Sequence, residues 1–120
     1  MQLKSTKYLY DIEEAILKLV RFTQDKSFDD YLKDELLQSA VERQFEIIGE
    51  AVNKLSQQAP EVANHLSDKR KMISFRNILI HAYDSIDPMI VWGVLESDLD
   101  RLYQEIKQLM NNRRYRTQKG

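Results

Sequence analysis

The stretch Ser74-Phe75-Arg76-Asn77-Ile78-Leu79-Ile80-His81-Ala82-Tyr83 combines the apolar spacing of a buried helix face with several reactive polar side chains. Successive residues of a helix are about 100° apart. Four side chains then share one side, at the i, i+3, i+4, i+7 spacing that faces a core: Phe75, Ile78, Leu79 and Ala82. The stretch therefore predicts a helix that begins after a cap at Ser67 or Asp68 and runs to about Tyr83.

The polar side chains of this helix form two neighbouring rows outside the apolar face. Arg76 and Tyr83 are seven residues apart and lie almost in line, whereas Asn77 and His81 share the adjacent face. Arginine binds phosphate oxygens through a bidentate fork, and histidine can accept or donate a proton near neutral pH. The spacing fits phosphodiester chemistry. Solvated residues on a helix surface, with Tyr83 half-buried near the helix end, account for the pattern equally well.

Two isoleucines, Ile73 and Ile80, lie between these polar rows. The core of the domain needs no apolar pair there, so we expect a second helix to cover them in a dimer, unless both side chains are simply exposed. RNA cleavage by attack of the 2′-hydroxyl needs a base, an acid and positive charge at the phosphate. One chain offers a single histidine at this place, whereas a two-fold dimer with facing helices would supply two.

The remaining sequence predicts long helices with few turns, because 120 residues contain only three glycines and two prolines. Apolar spacing of three and four predicts a first helix over residues 6–24. A second helix begins at a capping box of Ser27 and Asp30 and continues to residue 56, with a kink near Lys33. Gly49 lies in the middle of this second helix and predicts a close helix–helix approach, because glycine otherwise destabilises a helix by about 1 kcal/mol.

Two prolines mark the starts of later helices. Pro60 begins a short helical segment that ends near residue 67, and Asp87-Pro88 begins the last helix. No stretch alternates as a strand does. The chain is therefore predicted to be all-α, an up-down bundle of four main helices with a short extra helical segment.

Length and composition restrict the class of protein. The chain has the length of one domain and contains no cysteine, so disulfides and thiolate metal sites are excluded. Neither a signal peptide nor a membrane span is apparent, and we expect a cytoplasmic protein. The net charge is −1, but the last ten residues hold four cations and no acid. We divide the chain into a domain over 1–112 and a basic tail over 113–120, which either touches RNA or, more often for such ends, is a solvated terminus.

No metal site is expected. His65 is distant from His81 in the sequence, and no carboxylate lies at zinc-ligand spacing with both.

The second helix carries a carboxylate ridge with an arginine beside it, namely Glu42, Glu46, Glu50 and Arg43. Either this is a solvated face with local charge pairs, or one of Arg43, Glu46 and Glu50 borders a cleft and orients Arg76 or His81. A Gly-rich phosphate loop and the Gly-Ser and Asp-x-Asp signature of a nucleotidyltransferase are both missing.

Three blocks of the chain resemble the HepT family, prokaryotic HEPN-domain proteins that are usually encoded beside a minimal nucleotidyltransferase. The blocks are Ser39-Ala40-Val41-Glu42-Arg43-Gln44-Phe45-Glu46-Ile47-Ile48-Gly49-Glu50-Ala51, Arg76-Asn77-Ile78-Leu79-Ile80-His81-Ala82-Tyr83-Asp84, and Ile90-Val91-Trp92. The similarity covers nearly the whole chain in order. One departure is Asp68-Lys69-Arg70-Lys71, where many relatives have a tryptophan before the motif helix.

The resemblance implies a HEPN-type four-helix bundle that forms a homodimer. It also implies the toxin of a type VII-like HEPN and minimal-nucleotidyltransferase toxin–antitoxin system, a metal-independent endoribonuclease without a cofactor. Arg76 and His81 would be catalytic and Asn77 a polar site residue. Tyr83 would be the residue to which the nucleotidyltransferase antitoxin attaches AMP. The family's roles vary, so two alternatives stay open: a non-cleaving dimer that is the regulatory binding partner of the nucleotidyltransferase, and a purely structural helical dimer.

Overall fold

A computed structural model describes the backbone of residues 3–82 and 84–119 and the side chains of residues 5–82 and 84–112. This part of the chain is helical and contains no strand, which confirms the all-α prediction. Its helices, in chain order, are α1 (Leu3–Thr23), α2 (Phe28–Leu32), α3 (Glu35–Gln58), α4 (Pro60–Ala63), α5 (Lys69–His81), α6 (Pro88–Ser97) and α7 (Leu99–Lys119). The four longest, α1, α3, α5 and α7, form the bundle, in which α3 lies between α1 and α5 and α1 also contacts α7.

Helices α1 and α3 form the centre of the bundle. Each carries a stripe of side chains that solvent does not reach, spaced three and four apart: Leu9, Ile12, Ile16 and Leu19 on α1, and Val41, Phe45, Ile48, Val52 and Leu55 on α3. Each large aliphatic side chain that is buried stabilises the fold by about 1.5–3 kcal/mol. Continuous stripes of this kind explain why the first helix was predicted almost to its observed ends.

The predicted second helix is in fact two helices, and the predicted kink near Lys33 is a complete break between them. The Ser27–Asp30 capping box is present, with Ser27 N donating to Asp30 Oδ2 at 2.8 Å and Asp30 N donating to Ser27 Oγ at 3.1 Å. Helix α2 then ends at Leu32. Asp34 starts α3 because its carboxylate accepts a hydrogen bond from Leu37 N at 3.0 Å and so caps a new helix.

Helix α5 packs on α3 through Met72, Phe75 and Leu79, and the Phe75 ring meets the Phe45 ring edge-on at a centroid distance of 5.1 Å. Ile78 was predicted to be in the core, but it is 50 % exposed. Met72, Phe75 and Leu79 share one narrow side of α5, which faces the core. Ile78 is about 100° from Leu79 around the helix axis, on the side away from Met72, and therefore reaches solvent. The helix also ends earlier than predicted, at His81, with Ala82 as its C-cap.

The start of α5 differs from the predicted cap. Asp68 occupies the N-cap position, but its side chain makes no capping hydrogen bond. The carboxylate instead accepts hydrogen bonds from Arg101 of α7, at 3.1 Å from Nε and 2.9 Å from Nη2. Ser67 also contacts α7, because its backbone N–H and its hydroxyl both donate to the carboxylate of Glu105. The bidentate Arg101–Asp68 pair therefore fixes the start of α5 to α7.

The predicted last helix is interrupted at Asp98, which lies between α6 and α7. Its beginning is as predicted, since Asp87 caps α6 and Pro88 occupies the first turn. Asp98 is only 3 % exposed, and its carboxylate pairs with Lys71 of α5 at 2.5 Å and with Arg101 at 3.5 Å. A buried carboxylate needs such partners, so this junction is held to the start of α5.

Within the described ranges, no helix has both the length and the apolar character needed to cross a bilayer.

Candidate active site

Arg76 lies at a close approach of α5 to α3. A Cβ atom built on Gly49 of α3 would be 2.2 Å from Arg76 Cβ and 2.8 Å from the carbonyl oxygen of Met72. No side chain fits in that space, so the close approach predicted from Gly49 is confirmed. The aliphatic stem of Arg76 passes directly over the α3 backbone, which fixes where its guanidinium emerges.

Two neighbours hold the guanidinium of Arg76. Its Nη2 atom pairs with Glu50 Oε2 at 2.7 Å, and its Nη1 atom donates to Asn77 Oδ1 at 2.8 Å. The Nε atom is buried and has no hydrogen-bond partner among the described residues. The Arg76 side chain is 27 % exposed, so the cation is oriented but still accessible. Each terminal nitrogen keeps a second N–H that can bind an oxyanion.

The guanidinium forms part of the wall of a cleft between α1, α3 and α5 with a volume of about 350 Å³. The lining side chains are Lys7, Tyr8, Asp11, Arg43, Glu46, Ile47, Glu50, Ala51, Lys54, Arg76 and Ile80. The sequence left open which of Arg43, Glu46 and Glu50 borders a cleft. All three do, but only Glu50 contacts Arg76, while Arg43 pairs with Glu46 at 3.3 Å.

His81 occupies a different position from Arg76. It is the last residue of α5, is exposed, and is not among the residues that line the cleft. Five helical steps place it about 140° from Arg76 around the axis, with Asn77 between them on the same exposed side. Asn77, which accepts the hydrogen bond from Arg76 Nη1, lies one helical turn before His81 on this face. Tyr83 lies outside the described residues.

Exposed apolar side chains flank the His81 side of α5. Ile80 is 40 % exposed at the edge of the cleft, and Ile78 is 50 % exposed. Ile73, which was predicted to pair with Ile80 on the surface, is half-buried against the core. On the exposed side of α5, the large apolar side chains are thus Ile78 and Ile80.

Glu42 and His65 are not among the residues that line the cleft. Burial raises the pKa of Glu42, and the charge of nearby Glu46 adds to the effect. His65 is exposed after α4. Over the ranges that the structure describes, no group of three or more histidine or carboxylate side chains is arranged to hold a metal ion.

Comparison with known proteins gives matches over most of the chain. The model of the family described as "Ribonuclease HepT-like" matches residues 12–109. The protein named "Probable ribonuclease HepT" from Thermococcus cleftensis is 37 % identical over 105 residues, covering 85 % of this chain and 92 % of that protein. The protein named "Putative RNase MJ1380" from Methanocaldococcus jannaschii is 32 % identical over 100 residues, covering 83 % of this chain and 91 % of that protein.

A third relative is longer than this chain. The protein named "Gamma-glutamylcyclotransferase and putative RNase MJ0434", also from Methanocaldococcus jannaschii, is 38 % identical over 103 residues, covering 86 % of this chain. The match spans 46 % of that protein. No solved structure gives a significant match. With the family model matching most of the chain, including both α3 and α5, this protein belongs to the HepT-like ribonuclease family.

Proposed function

We propose that this protein is a metal-independent endoribonuclease, the toxin of a HEPN and minimal-nucleotidyltransferase toxin–antitoxin system acting in the cytoplasm. The observation that carries the proposal is the position of the Arg76 guanidinium. Glu50 and Asn77 hold it in the wall of a cleft, on the same helix that presents His81 to solvent. The names of the relatives as ribonucleases support the reaction type.

The proposed reaction uses the RNA 2′-hydroxyl as the nucleophile. It attacks the adjacent phosphorus, and the 5′-oxygen of the next nucleotide leaves, which gives a 2′,3′-cyclic phosphate and a 5′-hydroxyl. His81 accepts the proton of the attacking hydroxyl, and His81 of the partner subunit donates a proton to the leaving oxygen. Arg76 stabilises the charge that builds up on the phosphorane oxygens.

The proposed active unit is a two-fold homodimer. One chain offers a single histidine on this side of α5, so a second copy of α5 is needed to supply both a base and an acid at one phosphate. The exposed Ile78 and Ile80 beside His81 suit this contact, because apolar side chains are enriched at the centre of homodimer interfaces. A two-fold axis near His81 would bring the two imidazoles together.

Fractionation of the purified protein by size, followed by an RNA cleavage assay in EDTA, tests this proposal. We expect activity to coincide with a species of twice the 14.2 kDa chain mass and to persist when divalent metals are chelated, because no step of the reaction uses a metal. A monomer at tens of micromolar would remove the composite site. A dimer that binds RNA but does not cleave it would favour the regulatory role instead.

We also propose that the antitoxin acts on Tyr83. This residue follows His81 and the C-cap Ala82, so AMP attached to its hydroxyl would bring a bulky phosphodiester close to the site and exclude RNA by both size and charge. Tyr83→Phe removes the acceptor oxygen and keeps the ring. We expect this variant to stay toxic when the nucleotidyltransferase is co-expressed, whereas the wild type is silenced and gains mass in steps of AMP.

Two other tyrosines provide the comparison, Tyr103 of α7 and Tyr115 of the basic tail. Tyr103→Phe and Tyr115→Phe should be silenced as the wild type is, with the same gain in mass. The assignment is wrong if Tyr83→Phe is neutralised as efficiently as the wild type, or if peptide mapping places AMP on Tyr103 or Tyr115.

A further inference from the structure

The charges in the cleft beside Arg76 do not cancel. It is lined by four cations and three carboxylates. Three of the cations are paired with these carboxylates: Lys7 with Asp11 at 2.8 Å, Arg43 with Glu46 at 3.3 Å, and Arg76 with Glu50 at 2.7 Å. The fourth cation is Lys54, which forms no ion pair with any side chain that the structure describes. The cleft therefore carries a net charge of +1, although the net charge of the whole chain is −1.

Lys54 lacks a partner because Arg76 takes the carboxylate that is nearest in sequence. Glu50 precedes Lys54 by four residues, which is the usual spacing of an ion pair along a helix. Gly49 allows α5 to approach so closely that Glu50 pairs with Arg76 across the two helices instead. The exposed ammonium of Lys54 is left about one helical turn from the carboxylate that holds Arg76.

The space between these cations has the volume and the partly apolar lining of a small-ligand cleft. Its apolar wall is formed by Tyr8, Ile47, Ala51 and Ile80. The Tyr8 ring is held in place because its hydroxyl accepts a hydrogen bond from Gln58 Nε2 at 3.2 Å. A volume of about 350 Å³ is within the range of small-ligand clefts. One helical turn along α3 is also comparable with the distance between neighbouring phosphates of an RNA strand.

We propose that this cleft binds the RNA nucleotide next to the scissile phosphate, with Lys54 holding the phosphate of that nucleotide. The inference rests on the proposed ribonuclease function and extends its site from α5 onto α1 and α3. A strand whose reacting phosphate lies at Arg76 continues along the cleft, where Lys54 is the cation that no carboxylate of the described side chains neutralises. The base and ribose lie against the apolar wall, without base-specific hydrogen bonds.

The salt dependence of RNA binding tests the role of Lys54. The full-length His81→Ala protein, in which cleavage of the probe is expected to be slower by about 10²-fold or more, is titrated with a fluorescent single-stranded RNA at several salt concentrations, with and without Lys54→Gln. Loss of one phosphate contact should reduce the slope of log affinity against log salt by about 0.7, and at about 0.1 M salt it should weaken binding about five-fold. In the cleaving protein, the corresponding loss should appear in KM.

Lys33→Gln is the matched control, because it removes the same charge from an exposed lysine outside the cleft. It should leave the slope and affinity close to those of the parent. Equal slopes for Lys54→Gln and Lys33→Gln would overturn the subsite even if the wild type cleaves RNA. A reduced slope for Lys54→Gln alone would support the subsite even if the wild type does not cleave, in which case the ribonuclease proposal fails separately.

Discussion

His81→Ala is expected to reduce RNA cleavage by about 10²- to 10⁴-fold, the usual effect of losing a general acid or base. Arg76→Ala should cost about 10²- to 10³-fold, as expected for a group that stabilises charge in the transition state. His81 is exposed at the end of α5, and its replacement should change the free energy of unfolding by about 0.5 kcal/mol or less. Single-turnover cleavage rates at saturating protein measure both effects.

The other histidine provides the control for His81. His65 is exposed after α4 and is not among the residues that line the cleft, so His65→Ala should cleave RNA as the wild type does. Thermal unfolding followed by circular dichroism shows whether each variant is folded. Cleavage at the wild-type rate by a folded His81→Ala protein would remove the ribonuclease hypothesis. Loss of helical content in that variant would favour a structural role for the motif.

Gly49→Ala is expected to destabilise the fold by about 1–3 kcal/mol, the usual cost of overpacking a core, and to impair cleavage. Alanine is intrinsically better than glycine in a helix by about 1 kcal/mol. That gain is outweighed because the new Cβ would lie 2.2 Å from Arg76 Cβ and 2.8 Å from the backbone oxygen of Met72. Neither atom is the end of a flexible side chain, so α5 must move away from α3 and take Arg76 with it. Denaturant unfolding measures the change in stability.

Gly93→Ala separates the steric effect from helix propensity. Gly93 lies within α6, and a Cβ added there meets no atom within 4 Å. We expect this variant to be about 0.5–1 kcal/mol more stable than the wild type and to cleave RNA normally. A Gly49→Ala protein that is also more stable than the wild type would contradict the helix contact described here.

Local signals predicted where several helices begin. The expected capping arrangements are present at the start of α2, with Ser27 and Asp30, and at the start of α6, with Asp87 and Pro88. They were predictable because a cap depends on residues no more than three positions apart. The break before α3 was predicted at the right place, near Lys33, but only as a kink. Apolar spacing continues from α2 into α3, so periodicity hid a cap at Asp34 that starts a second helix.

Long-range contacts explain the other differences. Asp68 has the right position and chemistry for a cap, but Arg101 of α7 takes its carboxylate. The sequence of α5 alone does not show that Met72, rather than Ile78, completes the buried stripe, because the neighbouring helices decide which arc is covered. Asp98, at the break between α6 and α7, likewise pairs with Lys71, which is distant in sequence.

The sequence indicated candidate neighbours of Arg76 but not which of them it contacts. Gly49 indicated a close approach, and the carboxylate ridge indicated three candidate neighbours. Only the packing of α5 on α3 selects Glu50 as the partner of Arg76. Helical spacing placed Arg76 and His81 on neighbouring polar faces. In the structure Arg76 lines the cleft and His81 does not, and the proposed site takes its second histidine from another copy of the chain.

The chemical identity of the RNA ends produced in EDTA tests the central claim most directly. A single-stranded RNA is incubated with the purified wild type and, in parallel, with His81→Ala, and the products are analysed by mass spectrometry. We predict 2′,3′-cyclic phosphate and 5′-hydroxyl ends with the wild type, and intact RNA with His81→Ala over the same time. Intact RNA with the folded wild type, or ends with a 5′-phosphate and a 3′-hydroxyl, would contradict cleavage by the 2′-hydroxyl at a site of Arg76 and His81.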